Sequence, residues 1–242
     1  MSPAPSNPST GQGSLAPGLR TPPGAGAPAA NWRSRVWQRI LYRTLLKTVG
    51  TSLFMFVFFR AYFALLENPR GTPTVMPEIW LDHWVAFTPA AFPIYLSLWV
   101  YVSLAPGLMG NLRALIWFGV WVGAMCLVGL GIFWWWPTQT PTFAIDWAQH
   151  PCLSLIKGVD AAGNAFPSLH VASAVFSACW LHRVLRQMQS PRVTLWLSAA
   201  LCVGIAWSTM ATRQHVALDV LSGAVLGLVF AAASLWHIRR TD

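Results

Sequence analysis

Six stretches of this chain are apolar over close to the roughly 20 residues that a helix needs to cross about 30 Å of hydrocarbon. They lie at about 48–66, 84–105, 114–136, 168–186, 193–211 and 216–237. Inside a bilayer no water can satisfy backbone N–H and C=O groups, so such stretches have to be helical or close into a barrel. No stretch reads as a strand. Only 10% of the residues are charged and 55% are hydrophobic, against about 25% charged in soluble domains. The expected fold class is all-α: an integral membrane bundle of six transmembrane helices.

The remaining sequence divides in two. Residues 1–30 are rich in Pro, Ser, Gly and Ala and nearly free of charge, a composition that buries too little apolar surface to offset the entropy of ordering. This predicts a disordered tail, and it lacks the pattern of a signal peptide. Residues 31–47 interleave Trp32, Trp37, Ile40, Leu41 and Leu45 with Arg33, Arg35, Arg39, Arg43 and Lys47. Such a basic amphipathic segment suits an anionic lipid surface, or else is simply a solvated charge run. The bundle itself spans 48–240. Cys126, Cys152, Cys179 and Cys202 show no pairing or ligand spacing, so neither a disulfide framework nor a metal site is expected.

The net charge of +9 sorts by loop and forms no single patch, which argues against a nucleic-acid partner. Arg20, Arg33, Arg35, Arg39, Arg43, Lys47, Arg113, Arg183, Arg186, Arg192, Arg239 and Arg240 fall on one side of the six spans. Arg70, Lys157 and Arg213 fall on the other, with Glu67, Glu78, Asp82, Asp146 and Asp160. The excess of basic residues marks the cytoplasmic side. A multi-pass protein of the cytoplasmic membrane with both termini cytoplasmic follows. Arg60 interrupts the first span and either snorkels or faces the bundle interior. Gly119–Gly123 and Gly223–Gly227 are GxxxG pairs of the kind that pack helices.

Two short segments carry chemistry. Asn164 to Ser173 (NAFPSLHVAS) places Ser168 and His170 after Pro167, and a proline suits the first turn of a helix. Helix starts attract anions, phosphate above all. Thr212 to Gly223 (TRQHVALDVLSG) places His215 and Asp219 at i, i+4, on one face if helical. A carboxylate beside an imidazole fixes its tautomer and leaves the far nitrogen free as nucleophile or base. Both segments begin spans on the outer side, so the topology brings them to one membrane face. A lone histidine at the end of a membrane helix is most often a packing residue. Four such residues arriving together are a site.

PSLHVAS and HVALDVLSG resemble the second and third signatures of the type 2 phosphatidic acid phosphatase superfamily. The PSLH variant, DHWVAFTP from Asp82 and the later Tyr95 are similar to its inositol phosphorylceramide synthase-like branch. The resemblance implies a lipid phosphate phosphatase working at the outer face without cofactor or metal. His215 would attack phosphorus to form a phosphohistidine, Asp219 would orient it, and His170 would protonate the leaving oxygen. Ser168 and the N–H groups around Leu169 would hold the phosphoryl oxygens. The implied partners are a lipid phosphate substrate and membrane lipids.

The chain departs from the family pattern where basic ligands stand. Thr209, after Ser208, occupies the place of an arginine, and the first signature is not recognisable around Thr142. Arg213, at the outer mouth, is the replacement clamp or else an interfacial anchor; Lys157 and Arg60 are further possibilities. A phosphotransferase using an alcohol in place of water would need the same residues. A non-catalytic membrane protein would keep only the bundle.

Overall fold

The computed structural model describes residues 31–154 and 163–241. The tail at 1–30 and Lys157 lie outside them. The chain divides into Met1–Asn31 and Trp32–Asp242, and the fold is that of the second unit. Its helices are α1 (Trp32–Leu41), α2 (Thr44–Glu67), α3 (Phe92–Gly107), α4 (Leu112–Trp135), α5 (Leu169–Gln187), α6 (Arg192–Ala211) and α7 (Ala217–Thr241).

Among the described residues, five helices are long and apolar enough to cross a membrane: Thr44–Glu67, Pro89–Gly107, Leu112–Trp135, Arg192–Ala211 and Ala217–Ile238. They mark an integral membrane protein. The expected count was six, and α5 is the one that falls short. The reason is its place at the centre. Val171, Ala172, Ala174, Phe176 and Trp180 have no exposed surface, so little of α5 needs to be apolar for lipid. It carries His170, Ser173, Ser177, His182 and Arg183 instead. By contrast, α2 buries only Lys47 and Tyr62, and its apolar surface faces outward.

The closest helix contact joins α5 to α7. A Cβ on Gly223 would strike the Ser168 carbonyl, and one on Gly227 would come within 2.5 Å of the Ala172 carbonyl oxygen. Both positions need glycine for this approach, so the second GxxxG pair is a packing stripe. The first is not. Gly119 has nothing within 4 Å of its Cβ position, and Gly123 meets only Phe54 at 3.9 Å.

Three further expectations are corrected. The second span begins later than residue 84: Asp82–Trp84 and Pro89–Ala91 are single 3-10 turns, and α3 starts at Phe92. Pro89 and Pro93 lack the N–H groups a continuous helix would use, and they suit its first turn. Two short strands exist, Thr74–Val75 (β1) and Thr138–Gln139 (β2), paired in parallel. They tie the α2–α3 loop to the α4–α5 loop, where extended backbone must find partners away from any helix. Finally, Lys47 is not a solvated surface charge. It is 7% exposed, and its Nζ donates to the carbonyls of Arg39 at 2.6 Å and Gly107 at 2.7 Å, at the C-terminal ends of α1 and α3. Helix C-termini favour a cation.

The described parts of the α2–α3 and α4–α5 loops meet at one end, against the starts of α5 and α7. Met76, Ala165 and Val216 form a small second core there, with Phe143, Phe166 and Leu218 against it.

Candidate active site

At that end the sequence places a helix start beside a turn. Ser168 caps α5, its hydroxyl oxygen accepting the Val171 N–H at 3.3 Å. Pro167 therefore precedes the cap and is not in the first turn, as the motif alone suggested. The Ser168 N–H donates to the Asp219 carbonyl at 3.0 Å, which pins the start of α5 to the first turn of α7.

Next, α6 ends at Ala211, and the chain reverses through Arg213, whose φ of 57° is left-handed. The Thr209 carbonyl accepts the N–H groups of Gln214 at 2.9 Å and His215 at 3.1 Å. Thr209 thus fixes the turn with its backbone where an arginine was looked for. His215 lies just before α7 and not on it, so the i, i+4 spacing works across a helix start. Asp219 folds back in the manner of a capping box: Oδ2 accepts the Val216 N–H at 3.1 Å and lies 3.5 Å from His215 Nδ1.

The two histidines meet. His170 Nδ1 is 3.2 Å from His215 Nε2, and the Tyr95 hydroxyl is 3.2 Å from His170 Nε2. Chemistry orders the protons along this row. If His215 keeps its proton on Nδ1, facing the carboxylate, its Nε2 is an acceptor. His170 must then donate from Nδ1, which leaves its Nε2 to accept from Tyr95. Ser168 and Asp219 are fully buried and His215 is 6% exposed, so these interactions act at low dielectric, where they are strong.

The structure thus brings together His170, His215, Asp219, Ser168 and Leu169. Arg213 sits at the rim with its guanidinium 5.0 Å from the centre of the Phe143 ring, a cation–π contact. Arg60 is exposed on α2.

Two residues that join this end of the bundle, Tyr95 and Asp82, were not assigned a role from sequence. Tyr95 is buried in α3 and reaches His170 from a distant part of the chain. Asp82 is 1% exposed; its Oδ1 accepts the Ala217 N–H at 2.7 Å and its Oδ2 the Ile79 N–H at 2.8 Å. A lone acid at the edge of an apolar span was the available signal, since a buried carboxylate demands donors.

Residues 133–241 match the family model of the PAP2 superfamily. The match covers α5 to α7 with His170, His215 and Asp219, and stops short of Asp82 and Tyr95. No curated protein and no solved structure matches the chain.

Proposed function

We propose that this protein is a membrane lipid phosphate phosphatase acting through a phosphohistidine on His215. The observation that carries the reading is the row Tyr95, His170, His215, joined by two contacts of 3.2 Å, with the Asp219 carboxylate 3.5 Å from His215 Nδ1 at its end. A proton on Nδ1 faces that carboxylate, so the Nε2 lone pair points toward His170 and the site. An arriving phosphate replaces the His170–His215 hydrogen bond and lies between the rings.

The steps balance. A phosphate entering as its monoanion hands its proton to His170 Nε2. His215 Nε2 then bonds to phosphorus as the bond from phosphorus to the lipid oxygen breaks, and His170 gives its Nδ1 proton to that oxygen. Water then attacks phosphorus, the P–N bond breaks, and His170 Nδ1 takes up the water proton. Tyr95 serves both states of His170, because a phenol can donate to a neutral ring and accept from the N–H of an imidazolium. Ser168 and the N–H groups at Leu169 face the phosphoryl oxygens, with Arg213 at the rim.

Crossing the membrane a sixth time with α5 places the starts of α5 and α7 on one face. The crowding of arginines at the opposite loops supports an outer site with cytoplasmic termini. A phosphotransferase is the second reading, and one observation favours it. Asp82 and Tyr95, the residues that resemble the inositol phosphorylceramide synthase-like branch, are both built into this end of the bundle.

The test is to trap the intermediate. Purified protein mixed with a ³²P-labelled lipid phosphate and quenched in alkali should carry label, because phosphohistidine survives alkali and is lost in acid. His215→Ala should carry none. Label retained in that variant overturns the mechanism. Release of free phosphate in water, against transfer to an added lipid alcohol, separates the two readings.

A further inference from the structure

A cavity of about 880 Å³ runs beneath α2 and ends at the histidines. Its walls are α2, α3, α4 and α5, and nearly all of its lining is apolar, including Phe54, Phe58, Leu98, Val102, Leu115 and Val122. Most of its polar groups stand toward the two ends, Tyr95, Asn164, His170, Ser173 and His215 at one and Lys47, Thr51 and Ser103 at the other, with Ser177 of α5 between them.

We propose that this cavity receives the hydrocarbon tail of the substrate and that Lys47 is the floor that sets its length. The proposal rests on the catalytic reading of His170 and His215. An apolar slot continuous with a phosphate site fits an amphiphile whose phosphate is held at the histidines. The floor is a built feature: the Lys47 ammonium ties α2 to the last carbonyls of α1 and α3. A methylene chain cannot pass without breaking both bonds and leaving a buried charge unpaired, which is costly.

Depth then selects the substrate. Phe59 packs on Trp99 with ring centroids 5.5 Å apart, and Trp99 lies 6.0 Å from His170, so Phe59 marks the level of the site. From Lys47 to Phe59 the helix rises about 18 Å. One leaflet of the hydrocarbon core is about 15 Å deep. The slot therefore suits tails of ordinary membrane-lipid length and not a much longer polyisoprenoid.

Two glycines make the test clean. Gly50, one turn above Lys47, and Gly119 on α4 both line the cavity, and neither has any atom within 4 Å of its Cβ position. Leucine at either fills empty slot without a clash. Gly131, on α4 outside the lining and equally open, is the control. The measurement is kcat/KM of detergent-purified protein for phosphatidates with tails from six to eighteen carbons, together with a polyprenyl phosphate. In the unmodified protein, kcat/KM should rise with length up to membrane-lipid tails and drop for the polyprenyl chain. Gly50→Leu and Gly119→Leu should lower the long-to-short ratio by roughly tenfold or more, the scale of a few methylenes in an apolar pocket. Gly131→Leu should leave that ratio alone. An unchanged ratio in both cavity variants, or a preference for the polyprenyl phosphate, overturns the proposal. Binding of a radiolabelled long-chain lysophosphatidate is measured in parallel. Binding weakened by both leucines with no turnover in the unmodified protein would sink the catalytic reading and leave the tail site standing. Binding that both leucines leave unchanged would sink the tail site.

Discussion

The Asp82 carboxylate accepts the N–H of Ala217 across 135 positions of sequence, at 2.7 Å and out of contact with water. It thereby fastens the loop before α3 to the first residue of α7, two positions after His215. The other oxygen takes the Ile79 N–H, so Asp82 is both a local turn residue and a long-range cap.

Removing that cap should loosen the turn that aims His215. In Asp82→Ala the buried Ala217 N–H loses its acceptor, costing about 1–3 kcal/mol, and the part-buried Ile79 N–H loses its own. Its unfolding temperature in detergent should fall, and kcat with it. Asp82→Asn keeps one acceptor oxygen and should lie between the two. An alanine variant with the same unfolding temperature and kcat would show that Asp82 does not position the site.

Tyr95→Phe removes one hydroxyl and keeps the ring that stacks on Phe92. A hydrogen bond of about 1 kcal/mol corresponds to about fivefold in rate, and kcat should drop by that order or more with KM little changed. The pH–rate profile should move as well, since His170 loses the group that serves both of its protonation states. An unmoved profile with unchanged kcat would leave Tyr95 a packing residue.

The glycine pairs give opposite outcomes on the same substitution. Gly223→Ala and Gly227→Ala force a methyl against the α5 backbone, which should part α5 from α7, lower the unfolding temperature and cut turnover together. Gly119→Ala meets open space and should be neutral or stabilising by about 0.5–1 kcal/mol, from helix propensity alone. Equal effects at Gly119 and Gly223 would contradict the backbone contact.

Arg213 is the cation closest to His215 in sequence, two residues before it. If it clamps a phosphoryl oxygen, Arg213→Ala should reduce kcat by roughly 10²-fold, as when one stabilising donor is removed. Arg213→Lys should recover only part, because an ammonium does not reproduce the planar fork. Unchanged kinetics in the alanine variant would leave Arg213 an anchor held on Phe143.

The candidate site residues were readable from sequence because ionisable groups are rare in apolar chain, so His170, His215 and Asp219 stand out where helices begin. The GxxxG spacing also pointed to Gly223 and Gly227. The same spacing misled at Gly119, because a repeat of small residues does not reveal whether a partner helix lies opposite. Hydropathy found the five lipid-facing helices, but it counted α5 with them when its neighbours, not lipid, cover it. Tyr95 and Asp82 had no local signature of their roles. Each acts across a large stretch of chain, and only the folded packing of α3 and α7 against α5 brings them to the histidines. Lys47 looked like one more surface cation because its partners are main-chain carbonyls, which carry no sequence signal.

The contact at Gly223 and Gly227 also determines what this protein can change without losing its chemistry. Because α5 and α7 touch main chain to main chain, the gap between the two imidazoles is set by peptide geometry and not by the bulk of intervening side chains. Lipid-facing residues such as Val225 and Leu228 can be exchanged for other apolar ones to suit a thicker or thinner bilayer while the reacting nitrogens keep their spacing. The histidine pair is in this sense decoupled from the membrane that surrounds it.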